Sequence, residues 1–330
     1  MGDSVRVLLV GCGELGSRHL QAVASLPLVR EIEIVEPRGE AVQIAERRLA
    51  EMSDRQAGTH YRWLSALDEA TPGGDLCIVA TRADVRCRIV GEVVDKLSYT
   101  RFLLEKLVAQ TVVEYEDLRA LAEQQSLRIW VNCKTRAHES HQRVKKHLDE
   151  AEAIIFSAIS GNHGLANNGV HAADLFAFYD GADRIDLAGD RIDAKLHPTK
   201  RGNSILDLSG TLLGTTVKGS QFLLSYAASY ESPGCFSIVS PSYRAVVDDT
   251  KKFFYESSAA NGWRWDHVPF DANLMVSHMT RSFVTDILSD ENCSLPTLDE
   301  CFPAHRFILD ALLPHFRQLA GSHVDRCPVT

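Results

Sequence analysis

Residues 6–20 constrain this chain more than any other stretch. The apolar, β-branched run Arg6-Val7-Leu8-Leu9-Val10 passes into Gly11-Cys12-Gly13-Glu14-Leu15-Gly16, then into Ser17-Arg18-His19-Leu20, residues that suit a helix. Glycines at G-x-G-x-x-G spacing between a strand and a helix have a definite geometric use. Gly11 lets the chain turn tightly at the strand end, Gly13 lets the backbone approach a diphosphate, and Gly16 lets the helix pack close to the strand. The helix N-terminus then faces the phosphates with N–H groups and the positive end of its dipole. The stretch predicts a dinucleotide-binding βα unit, with Gly11, Cys12, Gly13, Glu14, Leu15 and Gly16 around the diphosphate. The plainer alternative is an ordinary glycine-rich turn, which the flanking pattern disfavours.

The residues downstream repeat a strand-helix alternation. Residues 31–35 (EIEIV) read as a second strand ending at Glu36-Pro37. An acidic residue there can accept hydrogen bonds from both adenosine ribose hydroxyls and repel a 2'-phosphate, so Glu36 favours NAD over NADP. Its alternative is a solvated carboxylate near a helix start. Arg38 counters the NAD preference, because its guanidinium can contact a 2'-phosphate or the adenine. Ala41, Ile44, Ala45, Leu49 and Met52 follow helical spacing, and a short strand follows at 61–64. Residues 75–80 form a continuous apolar run after the turn residues 71–74, as in a strand buried on both faces, and end at Thr81-Arg82. A strand at 101–104 ends at Glu105-Lys106-Leu107; a helix bearing Leu118, Leu121 and Ala122 and a strand at 128–132 follow. This alternation implies a parallel sheet with right-handed crossovers, whose ligands bind beyond the carboxyl ends of the strands. Gly11, Glu36, Thr81, Glu105 and Lys106 each fall just past such an end, so they are expected to converge on one crevice.

At 330 residues the chain exceeds the size at which one core usually stops growing, which predicts two domains, 1–135 and 136–330. A net charge of -9 argues against nucleic acid or an acidic membrane surface as partner. No apolar run approaches a membrane span, and residues 5–10 are too short for a signal-peptide core. The eight cysteines contain no C-x-x-C pair and read as reduced thiols, so cytoplasmic residence is expected. Cys12 reads as a small buried filler in the glycine loop.

Beyond residue 136 the texture changes. His138, His141 and His147 precede an apolar strand at 154–159, and His138 and His141 lie at i, i+3 with Cys133 upstream. Zinc is disfavoured because Arg143, Lys145 and Lys146 mark a solvated helix face and oppose a cation. In the segment 161–176, Asn168 and Gly169 are plausible helix-start residues. Ala172, Leu175, Phe176 and Tyr179 make the core-facing stripe. His171 then falls in the first turn beside a loop rich in amides and glycines, either as a structural histidine or facing a ligand. Alternating segments at 222–226, 236–239 and 243–247 predict an antiparallel sheet with one exposed face, and helices at 273–288 and 298–319 close the chain. Arg82, Arg86, Lys134, Arg136, His163, Lys200 and Arg201 read either as scattered charge or as a positive lining for a substrate bearing carboxylate or phosphate.

Together these segments resemble the glucose/fructose oxidoreductase and inositol dehydrogenase family (Gfo/Idh/MocA) over essentially the whole chain. Gly11 to His19 resembles the family's glycine loop, Ala80-Thr81 its Ala-Thr segment under the nicotinamide, and Glu105-Lys106 its Glu-Lys-Pro signature. Gly169-Val170-His171 followed by Asp174-Leu175 resembles its Gly-x-His-x-x-Asp helix start, and Leu295-Pro296-Thr297 before a helix is also typical.

The resemblance implies an α/β fold: an N-terminal Rossmann domain with a doubly wound parallel sheet, then an α+β substrate-binding domain. The second domain's large, open, mostly antiparallel sheet would make homodimer or homotetramer contacts. The resemblance also implies hydride exchange between NAD or NADP and a secondary alcohol or ketone of a sugar, sugar acid or sugar nucleotide. Residues 161–168 resemble members tied to bacterial surface-glycan and sugar-nucleotide pathways. In that picture Lys106 hydrogen-bonds the reacting oxygen, His171 takes or gives the hydroxyl proton with Asn167 in support, and the two meet over the nicotinamide ring. Leu107 stands where the family usually has proline, leaving its loop less constrained. Asn167 stands where many active members have Asp, and a neutral amide can orient an imidazole without stabilising its cation. These departures keep two alternatives open: a dinucleotide-binding sensor that has lost catalysis, and a reductase of a non-sugar carbonyl such as the biliverdin-type or dihydrodiol reductases.

Overall fold

A computed structural model describes residues 5–229, 231–270 and 273–330. The chain begins with β1 (Val5–Val10), α1 (Gly16–Ala24), β2 (Val29–Val35), α2 (Gly39–Ala50) and β3 (His60–Leu64). It continues with β4 (Leu76–Val79), α3 (Ala83–Leu97), β5 (Arg101–Leu104), α4 (Val112–Gln124) and β6 (Arg128–Val131). The six strands pair in parallel in the order β3-β2-β1-β4-β5-β6. β4 reads Leu-Cys-Ile-Val and is buried at every position, because helices cover both faces of a doubly wound sheet. The order reverses beside β1, so the loops after β1 and β4 flank the switch point where such sheets bind ligands.

The chain folds as two units, and the first ends its opening run at Ala109 and resumes over Val113–Asn132. The second unit contains α5 (Glu139–His147), β7 (Ile155–Ser160) and α6 (Leu165–Asp180). Its strands continue with β8 (Asp186–Ile192), β9 (His197–Thr199), β10 (Gly202–Asp207), β11 (Gly210–Thr215) and β12 (Gln221–Tyr226). They end with β13 (Cys235–Val239), β14 (Tyr243–Asp248), β15 (Phe253–Ser258) and β16 (Asp266–His267). Among the described residues, eight of them form one sheet, β16-β15-β14-β13-β7-β12-β11-β8, in which only the β7–β12 pair is parallel. β9 and β10 make a separate antiparallel hairpin.

One face of the large sheet packs under α6, through Phe156, Phe176 and Phe222. The other face carries Ile155, Ile159, Leu213 and Val239, each more than 40% exposed. Val239 lies opposite Ile155 in the ladder, so their side chains share that face.

The chain then forms α7 (Val276–Leu288) and α8 (Leu298–Ala320). α7 packs on α1, and Asn273–Leu298 belongs to the first unit. Sequence order alone puts that helix in the second domain. Its buried stripe of Met279, Thr280, Phe283, Val284 and Ile287 makes it amphipathic, but nothing local names the surface it covers.

Candidate functional site

In the first unit the glycine loop is cramped as its spacing predicts. Gly11 has φ +86°, a left-handed value that favours glycine, and a Cβ there would stand 2.9 Å from Thr81 Cγ2. At Gly16 a Cβ would stand 2.0 Å from the Gly11 carbonyl oxygen, so α1 can begin this close to β1 only without a side chain. Among the described residues no side chain caps α1. The Thr81 hydroxyl, just past β4, is buried with no hydrogen-bond partner among the described residues. A backbone cradle that excludes Cβ atoms, beside a buried hydroxyl lacking a protein partner, fits a dinucleotide diphosphate. Glu14 is exposed and pairs with Arg48 at 2.6 Å, and Arg48 also reaches Ser17 Oγ, so α2 braces the loop. Cys12 is buried, and burial first, then Glu36, pushes its thiol up to about 12, which suits the filler role rather than a nucleophile.

Glu36 stands just past β2. Its Oε2 accepts the Cys12 N–H at 2.8 Å, and its carboxylate also accepts the Arg38 N–H, Nε and Nη2. Burial raises its pKa, but these donors outweigh burial and leave it below the ordinary carboxylate value. Arg38 keeps an exposed side chain over this carboxylate. The two residues therefore act as one charge pair, which reading them one at a time along the sequence does not reveal.

Lys106 stands just past β5 and is 6% exposed. Glu105 is buried beside it, with Oε1 accepting His19 Nε2–H at 2.9 Å and Asn132 Nδ2–H at 2.7 Å. His19 Nδ1 lies 3.0 Å from Thr280 Oγ1 on α7. Glu105 is thus tied to α1 and β6 and, through His19, to α7. Sequence reasoning misses His19, Asn132 and Arg48, although His19 at i+3 from Gly16 is visible as a helical neighbour. Leu107 is fully buried, the Lys106–Leu107 peptide bond is cis, and the Leu107 carbonyl accepts from Arg86. Arg86 also donates to the Thr81 carbonyl, so the loop that lacks a proline's constraint is bonded to the loop carrying Thr81.

The second unit's candidate residues sit on α6, which begins at Leu165, earlier than Asn168. Asp207 Oδ1 accepts the Ala166 N–H at 2.9 Å, and the Leu208 carbonyl accepts the Leu165 N–H. Another part of the chain thereby starts the helix a turn early and moves His171 from the first turn to the second. Asn167 Nδ2 donates to the Leu206 carbonyl at 2.7 Å, and Oδ1 accepts the Thr330 N–H at 2.9 Å. Ala172, Leu175, Phe176 and Tyr179 are all buried, as their spacing requires.

Several cations counted as crevice charge have structural partners instead. Arg136 is buried and bidentate on Asp174, with Nε 2.8 Å from Oδ2; burial opposes its charge, but Asp174 outweighs burial and keeps it cationic. Arg86 is buried against carbonyls, and Arg82 pairs with Asp84. His163, Lys200 and Arg201 line a cavity of about 470 Å³ at the start of α6, with Asn167, Asn168 and Asp207. His138 and His141 are buried, not on a solvated face, and bond within the second unit. His141 lies between Tyr179 Oη and Asp249, and His138 bonds Ser140 Oγ. Among the described residues, the group spaced to hold a metal is Cys133, Asp174 and Cys301, and Arg136 occupies that carboxylate.

No family model matches this chain, and no match is found among curated proteins. Solved structures do match. UDP-N-acetylglucosamine 3-dehydrogenase GnnA from Acidithiobacillus ferrooxidans superposes with a TM-score of 0.70 at 17% identity, covering 94% of this chain and 96% of that one. KijD10, a 3-ketoreductase from Actinomadura kijaniata in complex with TDP-benzene and NADP, gives 0.68 at 18% identity with 94% and 96% coverage. The fold is that of these oxidoreductases. Such low identity carries the arrangement of strands and helices, in agreement with the α/β architecture read from the sequence.

Proposed function

We propose that this protein is an NAD(P)-dependent oxidoreductase acting on a secondary alcohol or ketone of a sugar-like substrate. The observation that carries this reading is the cradle after β1. There the Gly11 carbonyl fills the space of a Gly16 Cβ, next to the buried Thr81 hydroxyl and past the same strand ends that bear Lys106. A bound nicotinamide supplies the hydride acceptor or donor.

The chain's own groups do the rest. Backbone N–H groups of residues 13–16 hold the diphosphate, because those of Gly11 and Cys12 are donated to the Val35 carbonyl and to Glu36; Glu36 and Arg38 face the adenosine ribose, a pair compatible with either NAD or NADP. Lys106 donates a hydrogen bond to the reacting oxygen and offsets its developing charge. Buried Glu105, fixed by His19 and Asn132, holds the strand end that presents Lys106. His171 takes or gives the hydroxyl proton. Asn167 holds the start of α6 rather than supplying charge. GnnA acts on UDP-N-acetylglucosamine and KijD10 binds TDP-benzene, which favours a sugar nucleotide as substrate. All eight cysteines are free thiols, which suits a reducing cytoplasm. Among the described residues no helix is long and apolar enough to cross a membrane.

The test is a fluorescence titration with NADH and NADPH, followed by a turnover screen of sugars and sugar nucleotides. Lys106→Ala and His171→Ala are each expected to lower turnover by about a hundredfold or more. Unchanged turnover in both variants removes the assignment. Tight cofactor binding without turnover across the screen favours the sensor reading, which the neutral Asn167 side chain and its backbone partners support.

The open face of the large sheet suits a homo-oligomer. Ile155 and Ile159 are 55% exposed on this face, with Val239 directly opposite Ile155 and Leu213 two strands away, apolar side chains interspersed with serines on a strand ladder. Sedimentation of the wild type and of Ile159→Glu tests this: the variant is expected to sediment as a smaller species.

A further inference from the structure

The cavity in the second unit has an unusual lining. Pockets of about 300–1,000 Å³ are usually lined mainly by apolar side chains. This one, at about 470 Å³, has only Gly164 and Pro198 as non-polar members. Its occupant is therefore hydrophilic. Lys200 and Arg201 form the tip of the β9–β10 hairpin, between paired residues Thr199 and Gly202, and both residues line the cavity. Thr199 Oγ1 accepts the Arg201 N–H at 3.2 Å and donates to the Ile205 carbonyl, which fixes the tip. The Arg201 guanidinium also donates to the Thr330 main-chain oxygen through Nη1, which anchors its side chain.

The acidic members of the lining do not cancel this charge evenly. Asp207 is buried, and its Oδ1 already accepts two backbone N–H groups, from Ala166 and Leu208. Glu231 is exposed at the rim. His163 stacks on His197 with ring centroids 4.5 Å apart, and Asn162 and His163 hold left-handed φ values of 60° and 33°. Non-glycine residues in that region cost energy and persist where the surroundings dictate them, often at ligand sites.

The hairpin is also bonded to the helix that carries His171. Asn167 donates to Leu206 on β10, and Asp207 at the end of β10 accepts from Ala166. Asn167 and Asn168 lie four and three residues before His171, so both stand one helical turn away on its face of α6. The cavity and the proposed proton-transfer residue are thus rigidly related within one unit.

We infer that this cavity binds a phosphoryl group of the substrate, with Lys200 and Arg201 as its cationic contacts and Asn162 and Asn168 as neutral donors. The hairpin tip is then the specificity element that selects a phosphorylated sugar, such as a nucleoside diphosphate sugar, over a free one. The identity of the occupant as substrate rests on the oxidoreductase reading; its chemistry rests on the cavity alone.

Calorimetric titration of the full chain with uridine diphosphate, uridine and gluconate separates the possibilities, each run with and without saturating NADH. Uridine diphosphate is expected to bind, uridine and gluconate at least tenfold more weakly. Lys200→Gln and Arg201→Gln, both at exposed positions, are each expected to weaken uridine diphosphate roughly tenfold, the scale of one charge-assisted hydrogen bond. NADH affinity is expected to stay unchanged in both variants. Absence of uridine diphosphate binding, or binding that neither substitution weakens, overturns the inference. Tighter binding of gluconate that both substitutions weaken overturns the phosphoryl assignment in favour of a carboxylate. If NADH fails to bind while uridine diphosphate binds through Lys200 and Arg201, the oxidoreductase reading falls and the cavity assignment stands.

Discussion

His19 Nε2 lies 2.9 Å from Glu105 Oε1, and this buried contact joins the helix after the glycine loop to the strand end that presents Lys106. The glycine loop and the proposed catalytic lysine therefore share one hydrogen-bonded frame, completed by Asn132 and Thr280.

That frame predicts an acid limit. Burial raises the Glu105 carboxyl, but His19, Asn132 and Lys106 outweigh burial and pull it down to about 2. A carboxyl group lowered from about 4.3 in the unfolded chain adds stability above that unfolded value, and the stability is lost as pH falls towards the folded value. Urea midpoints of the wild type are expected to drop steeply between about pH 4 and pH 2. Glu105→Gln is expected to be less stable at neutral pH and to show a flatter drop. Parallel curves for the two proteins would count against an ionised, paired Glu105.

Two glycines are expected to respond to alanine in opposite directions. Gly16→Ala places a Cβ 2.0 Å from the Gly11 carbonyl oxygen, so the loop must move and NADH affinity is expected to fall at least tenfold. Gly91 lies within α3 with open space where a Cβ would stand, so Gly91→Ala is expected to stabilise by about 0.5–1 kcal/mol. Thermal melts and NADH titrations of both variants measure the contrast.

Cofactor choice is expected to turn on the Glu36–Arg38 pair. Arg38→Ala removes the cation able to meet a 2'-phosphate and is expected to weaken NADPH about tenfold more than NADH. Glu36→Ala removes the ribose acceptor and the repulsion, so the ratio is expected to move towards NADPH. Ratios of dissociation constants that do not change in either variant would place the adenosine elsewhere.

The Arg136–Asp174 pair is expected to behave as a buried ion pair. Asp174→Asn leaves a guanidinium buried without its carboxylate and is expected to cost about 3–5 kcal/mol. A double-mutant cycle with Arg136→Met is expected to recover part of that loss, because the uncompensated charge is removed. Denaturant unfolding of the four proteins gives the coupling energy directly.

Local pattern determined much of this protein. The strand-glycine-helix spacing around Gly11 and Gly16, the doubly buried run of β4 and the alternation through β6 are short-range signals, and they specify a parallel α/β sheet with its binding edge. Loop positions such as Thr81, Glu105 and Lys106 follow from that topology, because strand ends converge whatever lies between them. What only the tertiary structure decided depends on groups distant in sequence. Asp207 starts α6 a turn early and so moves His171, Thr280 reaches His19 from a helix some 260 positions later, and Arg136 turns from candidate ligand cation to partner of Asp174. A histidine or arginine carries the same chemistry on a surface or in a core. Periodicity reports which face of an element is apolar, but the partner that neutralises a buried polar group is chosen by packing between distant segments.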